Sequence, residues 1–137
     1  MDQVTLVNPQ VKAGEWMLGE FAKCYPVKAA YWLRSDEDED WYLYLASDKI
    51  NDTNFDIAYG EVLTIARKSQ NPWLNPFRVK VVGMEDPIAR AIAEVTKNYP
   101  GETPILLNGA TFGNVWIDGA IVYPRSFGQN MAELRPT

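Results

Sequence analysis

The chain has 137 residues, of which 47% are hydrophobic, 12% aromatic and 23% charged, a composition typical of one packed globular domain. We therefore expect residues 1–137 to form a single domain, with 125–137 as a surface tail because the hydrophobic periodicity fades there. The sequence contains no histidine and one cysteine, Cys24. This excludes Ser-His-Asp and Cys-His nucleophile systems, and zinc sites built from histidine or from several cysteines.

Negative charge is concentrated in one segment of the chain. Five of the 18 acids are consecutive, Asp36, Glu37, Asp38, Glu39 and Asp40, and the remaining 13 balance the 13 lysines and arginines, which leaves a net charge of -5. No cluster of basic residues is present, so direct binding to nucleic acid is not expected. The sequence begins without a signal-peptide pattern and contains no apolar stretch of membrane-spanning length, so we expect a cytoplasmic protein that does not bind a membrane.

The first third of the chain predicts a helix followed by a hairpin. Apolar residues spaced three, four and seven apart favour a helix over 11–25, which Pro26 ends. Two segments rich in aromatic and aliphatic residues, 27–34 and 41–47, flank the acidic run and are typical of paired strands.

This predicted hairpin is apolar on both faces. Alternation groups Trp41 with Leu43 on one face, and places Trp32, Tyr42 and Tyr44 on the other. A hairpin with two apolar faces is either central in a sheet or covered by a helix or another subunit. Core packing explains most of this aromatic content, and the alternative is that the hairpin forms a homodimer contact, since Tyr and Trp are enriched at interfaces.

The second half of the chain continues the mixture of helices and strands. The predicted elements are a helix over 53–67 opened by a Thr53–Asp56 capping box, a strand over 77–84, a helix beginning at Pro87 with Asp86 as its N-cap, and strands over 105–107, 111–117 and 120–123. Asn108-Gly109 and Asp118-Gly119 are interpreted as hairpin turns. The whole order predicts an α+β fold with a mostly antiparallel sheet of five to six strands and about three helices on one face.

A loop bracketed by prolines, 69–76, presents Trp73 and Leu74. One interpretation is a lid over a ligand-binding site, because binding residues are often carried by loops. The ordinary interpretation is that Trp73 packs back onto the core.

The acidic run resembles the start of a calcium-binding loop, with Asp36, Asp38 and Asp40 alternating, but the resemblance fails further along. Trp41 occupies the position that needs glycine, and Ser47 the position that needs glutamate. We therefore expect no metal and no cofactor. The remaining interpretations are a solubilising loop and a docking element for a basic partner.

These patterns favour a non-enzymatic protein-interaction module, inhibitor-like or immunity-like in kind. Its expected partner-binding residues are those of the acidic run together with Trp32, Trp41, Tyr42 and Tyr44. The alternative is a small-molecule-binding protein, or a minor enzyme that uses carboxylates, with a pocket near the loop that carries Trp73 and Leu74. The sequence has no carboxylate spacing diagnostic of catalysis, so no catalytic residue is assigned.

Overall fold

The computed structural model describes residues 8–34, 40–97, 104–112 and 115–124, with the backbone alone for residues 8, 107–112 and 115–118. The predicted surface tail, 125–137, and four of the five consecutive acids, 36–39, lie outside these ranges. The elements in chain order are α1 (Asn8–Phe21), β1 (Ala29–Arg34), β2 (Trp41–Ser47), α2 (Phe55–Ser69), a 3-10 turn (Pro76–Arg78), β3 (Val79–Gly83), α3 (Pro87–Lys97), β4 (Ile105–Phe112) and β5 (Val115–Val122).

The five strands form one mixed sheet in the order β3-β2-β1-β5-β4. Among the strands that the structure describes, three of the four pairs are antiparallel, and the pair β2–β3 is parallel. The parallel pair is joined through α2, as a crossover between parallel strands requires. The predicted α+β class, with a mostly antiparallel sheet and three helices, is confirmed.

Helices cover both faces of this sheet, so the expectation that they would cover one face is wrong. On one face α1 and α2 enclose a core that includes Met17, Trp32 and Val62. On the other face α3 packs against a second core that includes Tyr31 and Ile92. The physical reason is the two-faced hairpin of β1 and β2, because two apolar faces each need their own cover.

The register of this hairpin also differs from the predicted grouping of side chains. Trp32 stands opposite Leu43, and Tyr31 opposite Tyr44. Trp32 therefore shares its face with Leu43, while Tyr44 shares a face with Tyr31. In this register odd positions of β1 stand opposite even positions of β2, and alternation within each strand does not reveal that offset.

Helix α1 packs closely on the sheet through Gly14. The indole nitrogen of Trp32 donates to the Tyr123 hydroxyl at 2.9 Å, and that hydroxyl donates to the Val11 carbonyl at 2.5 Å. A Cβ atom at position 14 would lie 2.5 Å from the Tyr123 hydroxyl oxygen and 2.9 Å from the Trp32 ring. Only glycine permits this approach, which explains a residue that is otherwise unfavourable within a helix.

The two later helices begin differently. Helix α3 begins at Pro87, and the Asp86 carboxylate accepts a hydrogen bond from the Ile88 amide at 3.1 Å, as the sequence predicts. The capping box predicted for α2 is wrong, because Asn54 is the N-cap and the Thr53 hydroxyl bonds the Asn51 side chain instead. No helix in the described ranges combines the length and apolarity needed to cross a membrane.

The C-terminal strands form one long ladder in place of the three short strands predicted. Strands β4 and β5 pair from Ile105↔Val122 to Phe112↔Val115. Asn108 stands opposite Gly119 within this ladder, so the two dipeptides interpreted as turns lie inside strands. The connection between the strands falls at 113–114, outside the described residues. Pairing along two eight-residue strands here outweighs the local turn preference of both dipeptides.

Candidate functional site

A cleft of about 280 Å³ opens at the end of the sheet where the parallel strands β2 and β3 begin. It combines two tryptophans with an ion pair and several amide or proline side chains. Its lining residues are Gln10, Asp40, Trp41, Pro72, Trp73, Asn75 and Arg78. The cleft therefore brings together the last acid of the acidic run, the first aromatic residue of β2 and the tryptophan of the predicted loop.

The loop before β3 is anchored in a way that turns Trp73 outward. Leu74 is buried in the core beside α2, and its amide donates to the Asn71 carbonyl at 3.0 Å. The Asn71 side chain accepts a hydrogen bond from the Trp73 amide at 2.9 Å. Trp73 itself is 48% exposed and lines the cleft. Of the two residues assigned to a ligand pocket, Trp73 lies there and Leu74 lies in the core.

Two further contacts fix the segment that carries Arg78. The Asn75 side chain accepts a hydrogen bond from the Phe77 amide at 2.9 Å, which caps the 3-10 turn. The Tyr59 hydroxyl, on α2, donates to the Pro76 carbonyl at 2.5 Å. The start of this turn is thus held by two contacts, and Arg78 enters the cleft from its last position.

Among the described residues that line the cleft, one carboxylate and one guanidinium are charged. The Arg78 Nη1 lies 2.5 Å from the Asp40 Oδ2, and both side chains are partly exposed. The Arg78 guanidinium also lies over the Tyr42 ring at 5.2 Å, beside the Lys80 ammonium at 4.8 Å from the same ring. A partly exposed pair of this kind contributes about 1 kcal/mol or less.

The predicted aromatic cluster is divided among three environments. Trp32 is buried against α1 and is a core residue, so it has no surface to offer a partner. Trp41 is half-buried and lines the cleft. Tyr42 and Tyr44 are half-buried on the face that α3 covers elsewhere, and Tyr44 stacks on Tyr31 at 5.3 Å. Dimerisation through the hairpin stays a prediction, but helices of the same chain provide the cover that motivated it.

A second, larger cavity of about 560 Å³ lies at the opposite end of the parallel pair. It has an apolar floor and an acidic rim, and its residues are Ile50, Asn51, Asp52, Thr53, Phe55, Val81, Val82, Gly83, Glu85 and Asp86. One of these acids, Asp86, is already engaged as the N-cap of α3. Across the described ranges, no three Asp, Glu or Cys side chains come together as a metal-binding group.

The single thiol is not activated as a nucleophile. Partial burial and the nearby Glu61 carboxylate raise the pKa of Cys24, and the thiol donates to that carboxylate at 3.7 Å. A raised pKa reduces the thiolate fraction at neutral pH, whereas a reactive cysteine needs a lowered one.

Compared with known proteins, the chain matches no family model, no curated protein and no solved structure. Sequence patterns did not associate Arg78 with Asp40, because the two are brought together by the parallel pairing of Leu43 with Val79. The available signal was the order strand, helix, strand over 41–84, which is typical of a parallel crossover.

Proposed function

We propose that the protein is a binding module that docks a basic segment of a protein partner at the cleft between Trp41 and Trp73. The observation that carries the proposal is that Asp40 and Trp41 line the same cleft as Trp73. The five consecutive acids therefore end at the cleft itself, since Asp40 is the last of them. Charge and aromatic surface, which are separate features in the sequence, belong to one site.

The cleft is large enough to admit a long side chain of a partner. It measures about 280 Å³, at the lower end of the range of roughly 300–1,000 Å³ that is typical of ligand pockets. An arginine or lysine of the partner fits such a space with its aliphatic stem against the tryptophans. A cation over an aromatic ring gains about 0.5–2 kcal/mol, depending on how far it is desolvated.

The surroundings of the cleft supply the other requirements of a docking site. Phe77 lies in the chain between two lining residues, Asn75 and Arg78, and its side chain is 79% exposed. It offers apolar contact area at the margin of the site. The acidic run adds electrostatic steering, which accelerates association with a basic partner and weakens as salt rises. An inhibitor that neutralises a basic active site is one protein of this kind.

The proposal is tested by titrating an oligo-arginine peptide into the protein and following tryptophan fluorescence at low and high salt. We expect saturable binding that weakens with salt. Trp73→Ala should weaken it about tenfold, the equivalent of a lost contact of about 1.4 kcal/mol. The matched control is Trp16→Ala, since Trp16 is 42% exposed on α1 and is not a lining residue of the cleft. Equal binding by both variants, or no binding by the wild type, would contradict the proposal.

The contribution of charge is tested with a variant that neutralises all five acids to Asn and Gln. We expect weaker peptide binding and a flatter salt dependence, because fewer charges then interact across the interface. The single variant Asp40→Asn separates the contribution of the acid that pairs with Arg78 from the contribution of the other four acids. If the variant with all five substitutions binds the peptide as tightly as the wild type at low salt, the acids do not contribute to docking.

A second candidate function is small-molecule binding in the larger cavity, and one observation favours it. Its volume of about 560 Å³ falls within the range of drug-sized sites, and it lies at the carboxyl ends of two parallel strands, where α/β sheets usually bind ligands. The acidic rim favours an amine with an apolar body. A thermal-shift comparison of an aromatic amine with the matching aromatic carboxylate tests this, with stabilisation expected for the amine alone.

A further inference from the structure

Strand β4 is an edge strand whose outer side is open among the described strands. It pairs with β5 over its full length, from Ile105 to Phe112, and with no other strand that the structure describes. In an antiparallel pair, alternate residues direct their amide and carbonyl groups away from the partner strand. An eight-residue edge therefore presents a row of backbone donors and acceptors that can pair with another strand.

The sequence of this edge carries none of the usual protection against pairing. Residues 105–112 read Ile-Leu-Leu-Asn-Gly-Ala-Thr-Phe, with no charge and no proline. Leu106 is 62% exposed, so this edge also carries apolar surface that a second chain can cover. The other edge of the sheet, β3, is different, because it has five residues and carries the exposed Lys80. Short length and an edge lysine are typical devices that prevent strand addition.

The order of residues along β4 makes it complementary to a second copy of itself. An apolar triplet, Ile105 to Leu107, precedes Asn108-Gly109, and the less apolar triplet Ala110 to Phe112 follows them. When two such strands pair antiparallel about a two-fold axis at Gly109, Leu106 and Leu107 stand opposite Phe112 and Thr111 of the other copy. We propose that β4 is a dimerisation edge, through which two copies of this chain join their sheets into one of ten strands.

The two edges together explain why this assembly would stop at two copies. A two-fold contact uses β4 of both chains and leaves only the β3 edges at the ends of the joined sheet. Those edges are short and carry Lys80, so further addition is disfavoured. A head-to-tail contact of β4 with β3 would instead propagate into an open filament. The uncharged β4 also brings no like charges into direct opposition across the axis.

The salt dependence of this dimer is opposite to that of docking at the cleft. Each copy carries a net charge of -5, so two copies repel one another at long range and salt screens that repulsion. Dimerisation is expected to strengthen with salt, whereas binding of a basic segment is expected to weaken. The two inferences therefore fail independently, since the dimer does not depend on the cleft.

The experiment is sedimentation equilibrium of the full chain, whose mass is 15.5 kDa. We expect the wild type to approach twice this mass as its concentration rises. Leu106→Lys should raise the dissociation constant about tenfold or more, because it introduces a charge opposite an apolar strand position. The matched control is Ile57→Lys, since Ile57 is 63% exposed on α2 and outside the sheet. A wild type that stays monomeric at every concentration, or a dimer equally affected by both variants, would overturn the proposal.

Hydrogen exchange provides a second measurement that needs no variant. If β4 pairs with itself, amide protection over 105–112 rises with protein concentration, while protection of the other edge, Val79–Gly83, does not change. Protection of 105–112 that is independent of concentration would show that the edge is closed within one chain or open to solvent, and would overturn the proposal.

Discussion

Two buried tyrosines provide a matched test of how polar groups stabilise this core. Tyr31 and Tyr123 are both almost fully buried, but their hydroxyl groups differ. The Tyr123 hydroxyl accepts from Trp32 and donates to the Val11 carbonyl. The Tyr31 hydroxyl has no hydrogen-bond partner in the part of the chain that the structure describes. The same substitution, tyrosine to phenylalanine, should therefore have opposite effects at the two positions.

The expected magnitudes follow from these partners. Removing the Tyr31 hydroxyl relieves a buried, unpaired polar group, so Tyr31→Phe should raise the free energy of unfolding by about 1 kcal/mol. The ring stack with Tyr44 remains in that variant. Tyr123→Phe leaves the buried Trp32 indole nitrogen without this acceptor and removes the bond to the Val11 carbonyl. It should lower the free energy of unfolding by about 2–4 kcal/mol.

Urea denaturation at neutral pH, followed by circular dichroism, measures both effects on one scale. The dependence of the unfolding free energy on urea should be unchanged, so the midpoints alone report stability. We expect the urea midpoint of Tyr31→Phe to lie above that of the wild type, and the midpoint of Tyr123→Phe to lie below it. The reasoning is refuted if Tyr31→Phe destabilises the protein as much as Tyr123→Phe, because the two hydroxyl groups would then be energetically equivalent.

Two further predictions concern helix α1 and high pH. Gly14→Ala should destabilise the protein by about 1–3 kcal/mol through overpacking. Gly19→Ala should stabilise it by up to about 1 kcal/mol, because nothing lies within 4 Å of the new Cβ. Equal denaturation midpoints for the two variants would contradict this. Burial raises the pKa of Tyr31 and Tyr123, so only the unfolded state ionises them above about pH 10. The stability that each contributes is fully present below that pH and should fall above it by about 1.4 kcal/mol per pH unit for each tyrosine, so Tyr31→Phe should reduce the slope measured in urea by about that amount.

Local sequence signals predicted those elements whose cause is local. Strand β2 has the predicted bounds of 41–47, because an apolar run there follows a segment of five acids. Helix α3 begins at the predicted Pro87, because a cap and a proline at the first helical position act within a few residues. The predicted helix over 11–25 exists but lies at Asn8–Phe21, and the packing of Gly14 against the sheet is the contact that positions it.

Long-range pairing produced the features that local signals did not predict. Asn108 and Gly119 are favourable turn residues, yet they stand opposite each other inside a ladder. Turn preference is a local term, whereas the ladder depends on 105–112 and 115–122 aligning as whole strands. The offset of the β1–β2 register is equally invisible in either strand alone.

The candidate site was predicted in its parts but not as a whole. The acidic run, Trp41 and Trp73 were each identified from the sequence, as members of separate features. Parallel pairing of β2 with β3 brings Asp40, Trp41 and Trp73 to one cleft. Trp32 was grouped with these residues because it is aromatic, but its position opposite Leu43 directs it into the core. Residue type indicated binding chemistry, and strand register decided which residues share a surface.

Docking at the cleft is tested by affinity capture from a lysate of the source cells, using four forms of the protein as bait. These are the wild type, the variant with all five acids at 36–40 neutralised, Trp73→Ala and the control Trp16→Ala. We expect a basic protein partner that the wild type and Trp16→Ala retain in equal amounts, and that the other two variants lose. A partner retained equally by all four forms, or no partner retained by the wild type, would contradict docking at the cleft.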